Sequence, residues 1–424
     1  MLRLSMANLR SRMLTARRYY KVLALESSCD DSCVALLERK SHQESIIVLD
    51  HCKRTLNSAT TGGIVPTDAH EFHQYSMAKM IDEFCKKNGL NSSSPPDLIC
   101  CTRGPGMVGS LSAGLQIAKG ISLAWRKPLV GVHHMLGHIM IANLPKPQQK
   151  GTELPRFPFL SLLCSGGHTM LVLLKSLIEH EIIIDTVDIA AGDSIDKCAR
   201  EIGLRGNMLG KELERYVSGI LTGSKVESSP IINNSQNEIV FRLPMRGPKH
   251  LKRPEVIQFS FASFLSVIKS YKKTRSDQLN TREKEDVAFK VQEAIFDHLI
   301  DRINIALKKH GHSQIFGGDN KFYGVQDFIC SGGVASNKRL REKLFNNLLD
   351  KECTNGFNFH FPDVSLCTDN AVMIGIAGIE IFEKLKLKSN LSILPIRKWP
   401  LDELLQVDGW VNLDDEEISI ITKD

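Results

Sequence analysis

A two-lobed α/β fold with a cleft between related halves is what this sequence predicts, and three observations predict it. The plan of apolar strand, small polar turn and second apolar strand occurs twice: residues 21–25, 26–32 and 33–37, then residues 159–164, 165–169 and 170–174. The plan of apolar strand, glycine turn and helix also occurs twice. Residues 97–101 run through Arg103-Gly-Pro-Gly106 into a helix from about Ser110 to Trp125, and residues 327–330 run through Ser331-Gly-Gly-Val-Ala-Ser-Asn337 into a helix from Lys338 to about Leu349. Finally, 424 residues that are 42% hydrophobic and 24% charged supply core for two large lobes.

From the N-terminus, residues 1–20 hold Arg3, Arg10, Arg12, Arg17 and Arg18 among hydroxyl residues, and no acid precedes Glu26. That composition predicts a mitochondrial presequence, with a disordered basic tail as the plainer reading. No apolar run of about 18 residues follows, so no membrane span is expected. The net charge of +6 and pI near 8.7 suit a polyanionic partner without requiring one, since solvated basic faces produce the same surplus. Eleven cysteines without CxxC pairs indicate neither a zinc ribbon nor a secreted disulfide framework.

An N-terminal lobe over residues 21–150 is expected to open with a hairpin whose tip carries Asp30 and Asp31. The Val, Ile, Leu and Phe spacing of helices at about 73–88 and 282–309 is that of core packing. His134 and His138 stand at i and i+4, so on a helix both rings lean over one face and can reach one metal ion. His133 points elsewhere. Two imidazoles need a further carboxylate or thiolate, and the best remote candidate is Asp369. Taken alone, HxxxH is more readily one core and one surface histidine, and Asp369, just ahead of an apolar helix at 371–387, is as readily an N-cap. The C-terminal lobe is expected over residues 151–410, with a surface insertion at about 218–254 and an acidic tail at 411–424. The two glycine turns that precede helices would point backbone N–H groups at an anion, although a lone Ser-Gly-Gly is usually only a tight turn.

Eight motifs taken together carry a resemblance. They are Glu26-Ser-Ser-Cys-Asp-Asp31, Gly62-Gly-Ile-Val-Pro66, Arg103-Gly-Pro-Gly106, His133-His-Met-Leu-Gly-His138, Ser165-Gly-Gly-His-Thr169, Gly192-Asp-Ser-Ile-Asp-Lys197, Ser331-Gly-Gly-Val-Ala-Ser-Asn337 and Cys367-Thr-Asp-Asn370. In composition and order they resemble the tRNA N6-adenosine threonylcarbamoyltransferases, formerly called O-sialoglycoprotein endopeptidases, over residues 21–410; the basic leader resembles the mitochondrial branch.

The resemblance implies an actin-like, sugar-kinase and heat-shock ATPase fold. It implies transfer of threonylcarbamoyl from threonylcarbamoyl-adenylate, made by a separate synthase, to N6 of the adenosine 3′ of the anticodon in tRNAs reading codons that begin with A, with release of AMP. It further implies a mitochondrial matrix location and a self-sufficient homodimer. His134, His138 and Asp369 would hold one divalent metal ion per subunit, zinc or iron. Leu163, Cys164, Ser165, Gly166 and Gly167 would line the substrate through backbone N–H groups. Asp196 and Glu214 would take ribose hydroxyls with Gly210 against the nucleoside, and Ser336 and Asn337 would sit by the adenine. Asp30 and Asp31 would help position the transferred group or the tRNA amine. The bland alternatives are surface acids for Asp196 and Glu214 and a cap for Asn337.

Two departures stand out. Leu163 occupies a position where some relatives place a metal-binding tyrosine, and residues 205–211 lack the Pro-Gly-Gly turn of many bacterial members, which weakens the placement of Gly210 and Glu214. Three other functions compete. A zinc protease of the HExxH type needs a glutamate where this chain has Met135. An ATPase or kinase of the same fold leaves the histidine pair unexplained, and a nucleotide-binding scaffold draws only on the positive charge.

Overall fold

A computed structural model of the chain describes residues 19–39, 46–144, 154–222, 238–246, 256–275, 277–311, 320–349 and 357–422. The presequence expectation lies outside those residues except at Tyr19 and Tyr20, and Tyr20 already opens the first strand. Most of the expected insertion, residues 223–237 and 247–254, also lies outside them.

In chain order the strands are β1 (Tyr20–Glu26), β2 (Asp31–Arg39), β3 (Ile46–Thr55), β4 (Leu98–Gly104), β5 (Leu129–His133), β6 (Phe159–Cys164), β7 (Thr169–Leu174), β8 (His180–Asp185), β9 (Asp327–Ser331), β10 (Asn358–His360), β11 (Leu387–Ser389) and β12 (Trp410–Asn412). The helices are α1 (Pro66–Lys87), α2 (Val108–Trp125), α3 (His134–Met140), α4 (Ala191–Glu201), α5 (Leu209–Thr222), α6 (Ala262–Lys273), α7 (Thr281–His310), α8 (Lys338–Leu349), α9 (Ala371–Glu380) and α10 (Asp415–Thr422). None of them is long and apolar enough to cross a membrane.

The described residues fall into two compact units. Those of Met1–Leu56, Ile64–Thr152 and Asp369–Asp424 make the first, and those of Asn57–Gly63 and Glu153–Thr368 the second. The first unit's sheet has the order β12-β11-β5-β4-β1-β2-β3, and the second's has the order β10-β9-β6-β7-β8. A shared plan is visible in the pairing. Three antiparallel strands (β3-β2-β1, and β8-β7-β6) are extended by two parallel ones (β4 and β5, and β9 and β10). Both sheets are mixed, so the α/β class and the duplicated plan hold at the level of topology.

The central strands β1 and β2 are buried almost throughout, on both faces. Leu23, Leu25, Val34 and Leu36 face α1 and α2 through Met77, Met80, Phe84 and Leu115. The opposite face receives α9. A Cβ on Gly375 would lie 2.5 Å from Leu37 Cδ1, and one on Gly378 would run into Cys100 Sγ, so both glycines let this helix settle on the sheet. All ten residues of α9 are buried, which only a helix covered on every side tolerates. The second unit sets Leu160, Leu162, Phe328 and Cys330 against α4 through α8.

Three sequence boundaries are corrected. Residues 369–410 join the first unit rather than the second lobe, because β11 pairs with β5 (Ser389 opposite Leu129) and α9 lies on β1. The segment expected as an acidic tail is described over residues 411–422 and is structured there. It completes β12 and forms α10, whose Glu417 carboxylate is 2.5 Å from Lys388 Nζ, and its acids Asp415, Glu416 and Glu417 sit in the first helical turn where the dipole favours them. The apolar helix expected over 371–387 ends at Glu380 and passes through a π turn (Ile381–Leu385) to a left-handed Lys386.

Candidate functional site

Strand β5 delivers the chain directly into α3, and His133 makes the junction. Its Nδ1 accepts from Met135 N at 3.1 Å and Leu136 N at 3.4 Å, while its Nε2 donates to the Trp399 carbonyl at 2.9 Å. His133 is therefore a helix cap with both ring nitrogens engaged, in keeping with its exclusion as a ligand. One residue on, His134 and His138 project from the same face of α3, ring centroids 4.8 Å apart and perpendicular. Gly137 lies against Ile374 and Met373, and that close approach seats α3 on α9.

Asp369 reaches the pair from the residue before Asn370. Its Oδ1 is 3.1 Å from His138 Nε2 and 3.6 Å from His134 Nε2. The N-cap of α9 is Asn370, whose side chain accepts from Met373 N at 2.9 Å, so capping does not account for Asp369. Its backbone is fixed as well, the carbonyl receiving Lys53 Nζ at 3.2 Å and Cys33 Sγ at 3.7 Å. Ligand atoms of His134, His138 and Asp369 all lie within 4.8 Å of one another.

Electrostatics explain what such a cluster demands. Burial disfavours the His134 imidazolium, but the Glu26 and Asp369 carboxylates outweigh it and raise the group to about 9. Burial likewise opposes ionisation of Asp369, and the two histidines and Lys53 drive it the other way, well below the usual carboxylate range. Glu26, completely buried, follows the same pattern, held below its ordinary value chiefly by His134. With Glu26 at His134 Nδ1, the Nε2 side of that ring faces a carboxylate oxygen. A lone pair facing an anion needs a cation between them, either a proton or a metal ion. Two imidazoles and one carboxylate are a donor set that zinc and iron both accept, so the residues fit a divalent ion.

Asp31 and Asp30 part company at the hairpin tip. Asp31 is buried and already engaged by Lys53 Nζ at 2.7 Å and Thr55 Oγ1 at 2.5 Å, and burial, opposed by Lys53, leaves its carboxyl at about 6. Asp30 is partly buried, and burial together with Asp369 raises it from its ordinary value.

The second unit gathers most of the other sequence candidates. Leu163 and Cys164 are buried strand residues, Leu163 flanked by Met170 and Ser331, and Ser165 N is spent on the His168 carbonyl at 2.8 Å. Only Gly166 and Gly167 of that stretch are exposed with open space around them. Gly192, at the start of α4, packs 2.6 Å (as a Cβ) from Ser165 O, and Gly332, with φ of +98°, turns the chain tightly against Cys164. Asp196 on α4 lies beside Gly210 on α5. Glu214 and Asn337 are otherwise occupied. Glu214 Oε1 accepts from Lys338 N at 3.0 Å, and Asn337 Oδ1 caps the same helix α8 through Arg339 N (2.9 Å) and Leu340 N (3.3 Å) while its Nδ2 donates to Gln292. Ser336 Oγ donates to the Gly333 carbonyl at 2.7 Å. The capping reading of Asn337 thus describes its geometry, because a helix start leaves amides that a nearby acceptor satisfies.

A family model described as TsaD, tRNA N6-adenosine threonylcarbamoyltransferase, matches residues 50–376. The chain belongs to this family. The mitochondrial tRNA N6-adenosine threonylcarbamoyltransferase of Schizosaccharomyces pombe is 34% identical over 419 residues, covering 96% of this chain and 93% of that protein. The enzyme of the same name from Bartonella henselae is 32% identical over 387 residues, 90% of this chain and 96% of its own length. This family member is accordingly a transferase that acts on tRNA and forms N6-threonylcarbamoyladenosine. Sequence reasoning assigned no function to Glu26, Lys53 or Asn370. Glu26 and Asn370 stood only as members of motifs shared with Asp30, Asp31 and Asp369, Lys53 carried no signal, and the Thr102 and His134 partners of Glu26 and the Asp31 and Asp369 partners of Lys53 are distant in sequence.

Proposed function

We propose that this chain moves the threonylcarbamoyl group from threonylcarbamoyl-adenylate to N6 of the adenosine 3′ of the anticodon, in mitochondrial tRNAs reading codons that begin with A. It works in the mitochondrial matrix as a homodimer, on adenylate from a separate synthase, with one zinc or iron ion per subunit at His134, His138 and Asp369. The observation that carries this is the convergence of both Nε2 atoms on Asp369 Oδ1, a residue more than two hundred positions away that no capping role explains. Support for the compartment comes from the name of the S. pombe relative and from the arginine-rich leader.

The donor is a mixed anhydride and needs little activation, whereas the adenine amine is a weak nucleophile whose lone pair is delocalised. Orientation and charge stabilisation therefore matter more than a strong base. A bound divalent ion would supply Lewis-acid stabilisation of oxygen charge. A bond forms between N6 and the carbamoyl carbon, the bond from that carbon to the phosphate oxygen breaks, and N6 sheds one proton. Asp30 and Asp31 help position the transferred group or the tRNA amine, and the proton is assigned to Asp30, whose carboxyl is raised from its ordinary value by burial and by Asp369. The exposed amides of Gly166 and Gly167 hold the adenylate, with Asp196 and Gly210 at the ribose and Ser336 at the adenine. Glu214 and Asn337 act there by fixing the start of α8.

The test is reconstitution with tRNA, threonine, bicarbonate, ATP and a synthase, read by nucleoside analysis. His138→Ala should lose both bound metal and product. Undiminished product from that variant would overturn the metal role while leaving the transfer reaction in place.

A further inference from the structure

Glu26 ends β1 with its carboxylate fully buried. An acid in that position stays ionised only if donors surround it, and three do. Ser28 N donates to Oε1 at 2.5 Å, the Thr102 hydroxyl donates to Oε2, and His134 Nδ1 stands 3.2 Å from the same Oε2. Ser28 Oγ lies 3.1 Å from that ring nitrogen as well. An ionised carboxylate only accepts, so Nδ1 is the protonated nitrogen, which leaves the lone pair of the neutral ring on Nε2, the atom turned toward Asp369. His138 has no such support. Its Nδ1 is buried with no hydrogen-bond partner among the described residues, and among them Asp369 is the partner of its Nε2.

We propose that Glu26 is the positioning residue of the metal centre: it fixes the tautomer and angle of His134 and makes that imidazole the anchoring ligand, with His138 the more readily released one. The inference rests on the metal reading above. It assigns separate tasks to two residues of one motif, with the strand pair β1 and β4 acting on α3 through a single buried charge. Thr102 belongs to the same device, because its hydroxyl holds the oxygen that faces His134.

The experiment titrates Zn2+ into the full chain against a chromophoric chelator, for wild type, Glu26→Gln, Glu26→Asp and His138→Ala. Glu26→Gln keeps the shape of the side chain and removes its charge. Its affinity should fall about 10- to 100-fold, the usual cost of losing a partner behind a metal-bound histidine. Glu26→Asp should recover part of that loss. Imidazole 15N shifts should show the His134 tautomer changed in Glu26→Gln but not in Glu26→Asp, a signature that a merely structural defect would not produce. Should Glu26→Gln fail to fold, Thr102→Val tests the same chain of contacts, with a smaller loss in the same direction. Wild-type affinity and an unchanged His134 tautomer in Glu26→Gln would overturn the role of Glu26 alone. Equal binding by wild type and His138→Ala would instead overturn the metal reading and this inference with it.

Discussion

Asp369 and Asn370 are adjacent, both polar and both just ahead of an apolar helix, yet their side chains do unrelated things. The Asn370 side chain accepts from Met373 N and starts α9, whereas the Asp369 carboxylate turns to the two histidines. Asn370→Ala should therefore cost about 1 kcal/mol of stability and leave metal stoichiometry at one, while Asp369→Asn should abolish tight metal binding. Thermal unfolding and elemental analysis of the two proteins separate these outcomes, and the reverse pattern would mean the residues had exchanged roles. The histidine pair was legible in sequence because a spacing of four has only one consequence on a helix. Asp369 was legible as the best remote candidate for a third ligand, and only the family resemblance set that reading above a cap, since one carboxylate beside a helix looks like any other. Glu26 was not legible, because its meaning depends on Thr102 and His134, and spacing along a chain carries no information about partners that far apart.

At the scale of elements, β1, β2, β6, β7, α2, α7 and α8 were visible as apolar periodicities bounded by turn residues, and they stand within a few residues of where the pattern places them. The glycine turns were read as anion cradles. In the second unit several of their groups are instead consumed locally, with Ser165 N on His168 O and the start of α8 on Glu214 and Asn337. Composition marks a turn but not whether its amides remain free. Helix α7 carries a pH-dependent element of its own. His298 is completely buried among Phe259, Phe261 and Phe264, with Nε2 accepting from Ser260 N at 3.1 Å and Nδ1 without a hydrogen-bond partner among the described residues. Burial, reinforced by Arg302, lowers the ring from its ordinary 6.5 to about 4. The folded state thus prefers neutral imidazole, and the stabilisation is fully present above pH 6.5 and lost as pH falls from there toward 4. The difference amounts to about 3 kcal/mol. Denaturant unfolding of His298→Gln should show a flatter dependence between pH 8 and pH 4.5 than the parent chain. Parallel curves would remove His298 as the cause.

For the whole molecule, the return of residues 369–422 to the first unit is the feature least accessible to sequence. A strand such as β11 shows its apolar residues but not which sheet edge it will join, and only the fold places it beside β5. Because of that return, Glu26, His134, His138 and Asp369 all belong to one unit. Metal binding should therefore protect β1, α3 and α9 from hydrogen exchange and leave α4 through α8 unaffected. Stabilisation of the first unit should approach about 4 kcal/mol when free metal stands a thousandfold above its dissociation constant. Exchange slowed equally in both units would contradict a site confined to the first.

The central claim is that two imidazoles and one carboxylate in the first unit hold an ion that the transfer reaction requires. It is tested most directly by stripping the purified chain of metal, then assaying N6-threonylcarbamoyladenosine in tRNA before and after one equivalent of zinc or iron is returned. The structure predicts product lost on stripping, restored on return in the wild-type chain, and not restored in His138→Ala. Full activity in the stripped protein, or rescue of the variant, would contradict it.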